Sequence, residues 1–101
     1  MAVHSGPDAL EDARRFVAEK QPRTDVERVV CLGYCLDRFS GLKEFASTDV
    51  TRLNDELGLP RLSNPSFAVR KARTRGFFAQ GEHYRLQITD DGKAVVESLP
   101  R

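Results

Sequence analysis

Apolar residues recur at spacings of three and four along most of this 101-residue chain, and near its end at spacings of two. Over residues 7–21 the positions Ala9, Leu10, Ala13, Phe16 and Val17 form one stripe. Glu11, Asp12, Arg14, Arg15, Glu19 and Lys20 take the other faces, and Pro22 ends the pattern. This predicts a first, amphipathic helix, serving either as a brace on the core or as a dimer surface. The preceding residues 1–6 are small and polar without periodicity and read as a disordered tail.

A second helix opens at Thr24-Asp25-Val26-Glu27, a capping box in which Glu27 reaches back to the cap amide. It continues as VERVVCLGYCLDRF to about residue 40, with Val26, Val29, Val30, Leu32, Gly33, Leu36 and Phe39 covering well over half its circumference. Such a helix belongs at the centre of the core, with the first helix covering Cys31 and Tyr34. Gly41-Leu42 breaks the chain, and Lys43-Glu44-Phe45-Ala46 is long enough only for a turn or an edge strand. Ser47 or Thr48 then caps a third helix, TDVTRLNDELGL, turning Val50, Leu53 and Leu57 inward and Thr48, Thr51, Arg52 and Asp55 outward.

Residues 63–88 carry the most information. Ser63 or Asn64 caps a short helix with Pro65 in its first turn, and Gly76 stops it. Pro65, Ala68, Val69 and Ala72 make a small apolar side, while Phe67, Arg70, Lys71 and Thr74 project opposite. Phe77 and Phe78 then begin a strand, Gly81 sits in a turn, and Tyr84, Leu86 and Ile88 alternate with Arg85 and Gln87 in a half-buried return strand. Thr89 caps a closing helix, with Asp90 and Asp91 at its positive end and Ala94, Val95 and Leu99 returning to the core.

Charge changes the picture only locally. Between Gly58 and Gly76 stand Arg61, Arg70, Lys71, Arg73 and Arg75 with no acid, in a chain whose formal net charge is +1. A helix with cations on its free face has the chemistry of the DNA major groove, where guanidinium forks match guanine O6 and N7 and other cations pair with phosphates. An ordinary basic surface helix is the competing reading.

Other chemistries find less support. No apolar run approaches the roughly 20 residues that span a bilayer, and the N-terminus lacks the features of a secretion signal, so no membrane partner and a cytoplasmic location are expected. Cys31 and Cys35 lie on one side of a helix, where a disulfide would be strained; they read as small semi-buried hydrophobes. His4 and His83 are far apart and at no metal-motif spacing. There is no glycine-rich phosphate loop, no nucleophile paired with a base, and no carboxylate pair in a perturbing setting. No catalysis, metal or cofactor is expected.

The order of elements, with R-G-F-F and then G-E-H-Y-R-L-Q-I-T-D-D-G-K-A-V-V, resembles the winged helix-turn-helix superfamily over residues 24–99. The matching positions are Gly76 at the end of a basic helix, Tyr84-Arg85-Leu86 in a returning wing, and Thr89-Asp90-Asp91-Gly92 opening a closing helix. The resemblance implies a mainly α fold with a small β-hairpin, as one domain over residues 7–101. Its parts would be an extra N-terminal helix 7–21, a three-helix core 24–76, a wing 77–88 and a closing helix 89–99.

It further implies a bacterial or phage transcription regulator that docks residues 64–75 in the major groove of double-stranded DNA. Ser66, Phe67, Arg70, Lys71 and Thr74 would then meet DNA, Arg70 reading a base edge and Lys71, Arg73 and Arg75 holding phosphates. Arg61 and Arg85 would add backbone contacts. Phe67 would touch a thymine methyl, or else pack against Leu57 or Leu59. The short tip Gln80-Gly81-Glu82-His83 carries an acid and suits a minor groove poorly, and the connection 58–64 exceeds a tight helix-turn-helix turn. A homodimer or a larger assembly is expected, since one module reads a short site. The alternative is a winged-helix docking module holding an acidic protein partner through the same face.

Overall fold

The computed structural model describes residues 7–100; the sequence-predicted tail over residues 1–6 and His4 within it lie outside the described residues. The fold is mainly helical with one small antiparallel sheet. Its elements are α1 (Pro7–Lys20), α2 (Asp25–Arg38), α3 (Ser47–Glu56), α4 (Pro65–Thr74), β1 (Phe78–Gln80), β2 (Leu86–Ile88) and α5 (Asp90–Glu97).

Helix α2 is the centre, in contact with all four other helices and with β2. Val29, Val30, Cys31, Leu32, Cys35 and Leu36 are fully buried on it, which follows from a sequence apolar around most of its circumference. Each Å² of apolar surface so removed from water contributes roughly 25 cal/mol. Helix α1 covers one side: Phe16 stacks on Tyr34 with ring centroids 4.9 Å apart. The Tyr34 hydroxyl donates to Glu97 at 3.3 Å and accepts from Arg38 at 3.2 Å, so the ring is buried while its polar end ties α2 to α5.

The helix ends depart from expectation in detail. Thr24 Oγ1 accepts from Glu27 N–H at 3.1 Å, but Glu27 reaches past the cap to take Arg23 N–H at 2.8 Å. Helix α2 ends at Arg38, with Phe39 as its C-cap. Neither Ser47 nor Thr48 caps α3: the cap is Ala46, whose N–H donates to Asp49 Oδ2 at 2.8 Å. Docking Phe45 into the core starts the helix one residue early, and Asp49 supplies the acceptor that Ala46 lacks. In α5, Ala94 is exposed and Val96 is fully buried in its place, while Leu99 returns to the interior as expected.

The hairpin pairs Phe78 with Ile88, Ala79 with Gln87 and Gln80 with Leu86. Phe45 adds a bridge on the far side of β2, exchanging two backbone hydrogen bonds with Leu86 at 2.9 and 2.7 Å. The segment 43–46 is therefore an edge bridge of the sheet. The return strand is shorter than the alternation predicts. Tyr84 belongs to a tight turn, Glu82–Tyr84, and is 86% exposed; Arg85 precedes β2.

Two glycines carry the packing of the hairpin. A Cβ on Gly33 would stand 2.8 Å from Phe78 Cε1 and 3.0 Å from Phe45 Cζ, so the bare backbone of α2 is the surface on which these two rings rest. The rings meet edge to face with centroids 5.4 Å apart. A Cβ on Gly92 would fall on the Phe77 carbonyl oxygen. Gly92 N–H donates to Thr89 Oγ1 at 3.0 Å, and the Thr89 hydroxyl lies 3.1 Å from Phe77 O. The Thr-x-x-Gly sequence thus both caps α5 and lets it approach the hairpin.

Both cysteines are fully buried and free. A side-chain hydrogen bond with Cys31, followed by burial, pushes the Cys35 thiol well above its ordinary range. Folded protein should therefore react with a thiol reagent such as dithionitrobenzoate only at the rate of unfolding, with both thiols reacting at once in denaturant. Gly33→Ala should lower stability in urea titration by up to about 2 kcal/mol, the overpacking cost of about 1–3 kcal/mol against Phe78 and Phe45 less the roughly 1 kcal/mol that alanine adds to a helix. A gain in stability would show that the rings can move aside.

Candidate functional site

Helix α4 is built to show its polar side. Asn64 Oδ1 accepts from Phe67 N–H at 3.1 Å, Pro65 occupies the first turn, and Gly76 at φ +84° turns the chain out of the helix. Ala68, Val69 and Ala72 are buried, and their small side chains let the backbone of α4 lie close to α2. Ser66, Phe67, Arg70, Arg73, Thr74 and Arg75 are exposed, and Lys71 is half-buried.

The long connection 58–64 is fixed rather than slack. Leu62 is buried in the core, and Pro60 O accepts from both the Arg28 guanidinium and, at 3.2 Å, Asn54 Nδ2. Ser63 N–H donates to Asp25 Oδ2 at 3.1 Å. These bonds from α2 and α3 set the entry of α4, so the extra residues cost it no definition.

Ion pairing is segregated across the molecule. Among the described residues, ion pairs include Arg14–Glu11, Arg15–Asp12, Lys43–Asp37, Lys93–Asp37 and Arg52–Asp49. None involves Arg61, Arg70, Lys71, Arg73, Arg75 or Arg85. Cations left without carboxylate partners keep their full capacity for an external anion, and guanidinium groups are suited to bidentate contact with phosphate.

The structure divides the sequence-predicted residues into groups. Ser66, Arg70 and Arg73 come together in a cleft of about 280 Å³, closed on its other sides by Ser47 at the start of α3 and by Gln80, Tyr84 and Leu86 of the hairpin. Arg73 Nη1 donates to Gln80 Oε1 at 2.7 Å, which locks the guanidinium against the hairpin. Phe67 and Lys71 stand outside this cleft. Phe67 is 51% exposed and does not pack away against Leu57 or Leu59 as the alternative expectation had it; Lys71 Nζ lies 5.5 Å from its ring centroid. Thr74 directs its hydroxyl proton to Arg70 O at 3.0 Å, so it offers an acceptor rather than a free donor. Arg75 is the C-cap of α4 and Arg85 follows the hairpin turn, both exposed. Arg61 belongs to a separate cavity, of about 450 Å³, with Thr51, Asp55 and Ser63.

Sequence reasoning missed Ser47, Gln80 and Tyr84 as members of the cleft. Ser47 reads as a helix cap, and Tyr84 falls on the apolar phase of a period-two pattern, which assigns it inward. The hairpin turn breaks that phase: His83 at φ 56° and Tyr84 at φ 62° are both left-handed. For non-glycine residues this costs of order 1–3 kcal/mol each, and no signal in the local sequence marks it.

No helix of the structure is long and apolar enough to cross a membrane, and the described residues contain no group of three or more His, Cys, Asp or Glu able to hold a metal ion. Compared with known proteins, the chain matches no family model, no curated protein and no solved structure, so its function is read from its own residues and geometry.

Proposed function

We propose that this chain is a DNA-binding protein of winged helix-turn-helix type, a small prokaryotic or phage transcription regulator that lays α4 in the major groove of double-stranded DNA. The observation that carries this reading is the row of cations on α4, Arg70, Lys71 and Arg73, that enter no ion pair, while Glu11, Asp12, Asp37 and Asp49 pair with cations on other elements. Arg70 projects from the middle of the exposed face and is suited to a guanine edge; Lys71 and Arg75 flank it and suit phosphates. Arg73, held by Gln80, would join the helix and the hairpin on one strand of the backbone.

The α2–α3–α4 arrangement followed by a two-stranded hairpin supports the winged-helix assignment, as does the anchoring of the long connection. A homodimer, with α1 as one available surface, would extend the short site that a single module reads. A second reading, a docking module for an acidic protein, draws on Phe67: an aromatic ring 51% exposed beside unpaired cations also fits a protein surface.

The first test is fluorescence anisotropy of the purified chain against random duplexes at two salt concentrations. Binding in the range of about 1–100 μM that weakens steeply as salt rises is expected for contacts carried by phosphates. On a selected site, Arg70→Ala should cost about 1–3 kcal/mol and relax sequence preference, whereas Lys71→Ala should weaken all sequences alike and flatten the salt slope by about one unit. A double variant that binds as the parent does would remove α4 from the recognition role. Absence of binding at low salt would favour the acidic-protein reading.

A further inference from the structure

The tip of the hairpin is more than a means of reversing the chain. Turns that need two consecutive left-handed residues ordinarily take Asn and Gly, which adopt that conformation at little cost. Here the pair is His83 and Tyr84, while the adjacent Gly81 stays at φ −102°. The turn is held by Gly81 N–H to Arg85 O at 2.7 Å and Arg85 N–H to Glu82 O at 3.0 Å. The result is a tyrosine 86% exposed, carried by a backbone-bonded turn beside the cleft that Arg70 and Arg73 line.

The lining of that cleft has one sign. Ser47, Ser66, Arg70, Arg73 and Tyr84 all present donors and no carboxylate takes part; the side-chain oxygen of Gln80 is engaged by Arg73. A recess of guanidinium and hydroxyl donors beside an unpacked aromatic face is complementary to a group that is anionic at one end and flat at the other. A nucleotide has both parts: phosphate oxygens for the guanidinium fork of Arg73 and a base with a π-face for the ring, while Arg70 keeps its base edge in the duplex. The cleft, about 280 Å³, is of a size for part of a nucleotide rather than the whole of a larger ligand, and Tyr84 is among its lining residues. Within an uninterrupted duplex each base is covered on both faces by its neighbours. Only an unpaired or terminal base has a face to offer.

We infer that the cleft seats one nucleotide whose base is unpaired or terminal and stacks on Tyr84, so that the chain prefers DNA with a single-stranded extension over uninterrupted duplex. This rests on the DNA-binding reading: α4 supplies the duplex contacts, and Tyr84 adds the preference for an open base.

The test uses fluorescein-labelled probes of one duplex sequence: a covalently closed circular duplex, which has neither an unpaired nor a terminal base, and the linear duplex with a short single-stranded extension in each polarity. The parent chain should bind an extended probe about tenfold more tightly than the closed circular duplex, in the range that base–aromatic stacking supplies. Tyr84→Phe keeps the ring and should keep the preference. Tyr84→Ala should abolish it, making the affinities for the extended and closed probes equal, and far-ultraviolet circular dichroism should match the parent because the side chain is exposed. Equal affinity of the parent for all probes, a preference that survives Tyr84→Ala, or one lost equally in Tyr84→Phe overturns the inference while the DNA-binding reading stands. Failure to bind any probe at low salt overturns both.

Discussion

The contact of Phe45 and Phe78 with the bare backbone at Gly33 is the constraint on which the rest of this structure depends. It brings the hairpin within a side chain's thickness of the central helix α2, and the same helix carries α4 through Ala68, Val69 and Ala72. Two elements docked on one helix by small or absent side chains are thereby placed beside each other. The cleft is the space left between them. A larger residue at Gly33 would push the hairpin outward, and Gln80 and Tyr84 would move away from Arg73 and Arg70 with it.

Electrostatics follow from that packing. Asp37 is drawn into a cluster with Lys43 and Lys93 at one end of α2, Asp49 closes the first turn of α3, and Asp25 holds Ser63. Each of these acids does structural work away from the exposed side of α4. The cations of residues 70–75 enter none of these ion pairs, Arg73 bonding to the Gln80 amide instead. Surface ion pairs of this kind contribute little to stability, about 0–1 kcal/mol, so leaving these cations unpaired costs the fold almost nothing and keeps the charge available to a ligand.

The proposed nucleic-acid interface therefore has two parts with different physical origins. The exposed side of α4 is a property of one helix and its periodicity, and would exist wherever that helix was docked. The cleft is a property of the assembly: a serine from α3, two arginines and a serine from α4, and a glutamine and a tyrosine from the hairpin share it only because three elements meet. The Arg73–Gln80 hydrogen bond is the direct link between the parts.

The helices, the hairpin and most of the core are legible in the chain because each is written in a short-range signal. Examples are the 3.6-residue stripe of α2, the Asn64-Pro65 start and Gly76 stop of α4, and the Thr89 cap of α5. The unpaired charge is legible too, since five cations without an acid between Gly58 and Gly76 need no structure to be seen. Which residues form the cleft, and the exposure of Tyr84, depend on long-range packing and the hairpin turn. Alternation places Tyr84 on the same side as Leu86 and Ile88, but a turn stabilised by its own backbone hydrogen bonds holds two residues left-handed and reverses that assignment. Likewise the choice of Ala46 over Ser47 as the cap of α3 follows from Phe45 being drawn into the core beside Phe78, a contact between residues more than thirty positions apart. Local periodicity carries no information about such pairings, because the free energy that selects them arises only when distant segments are packed together.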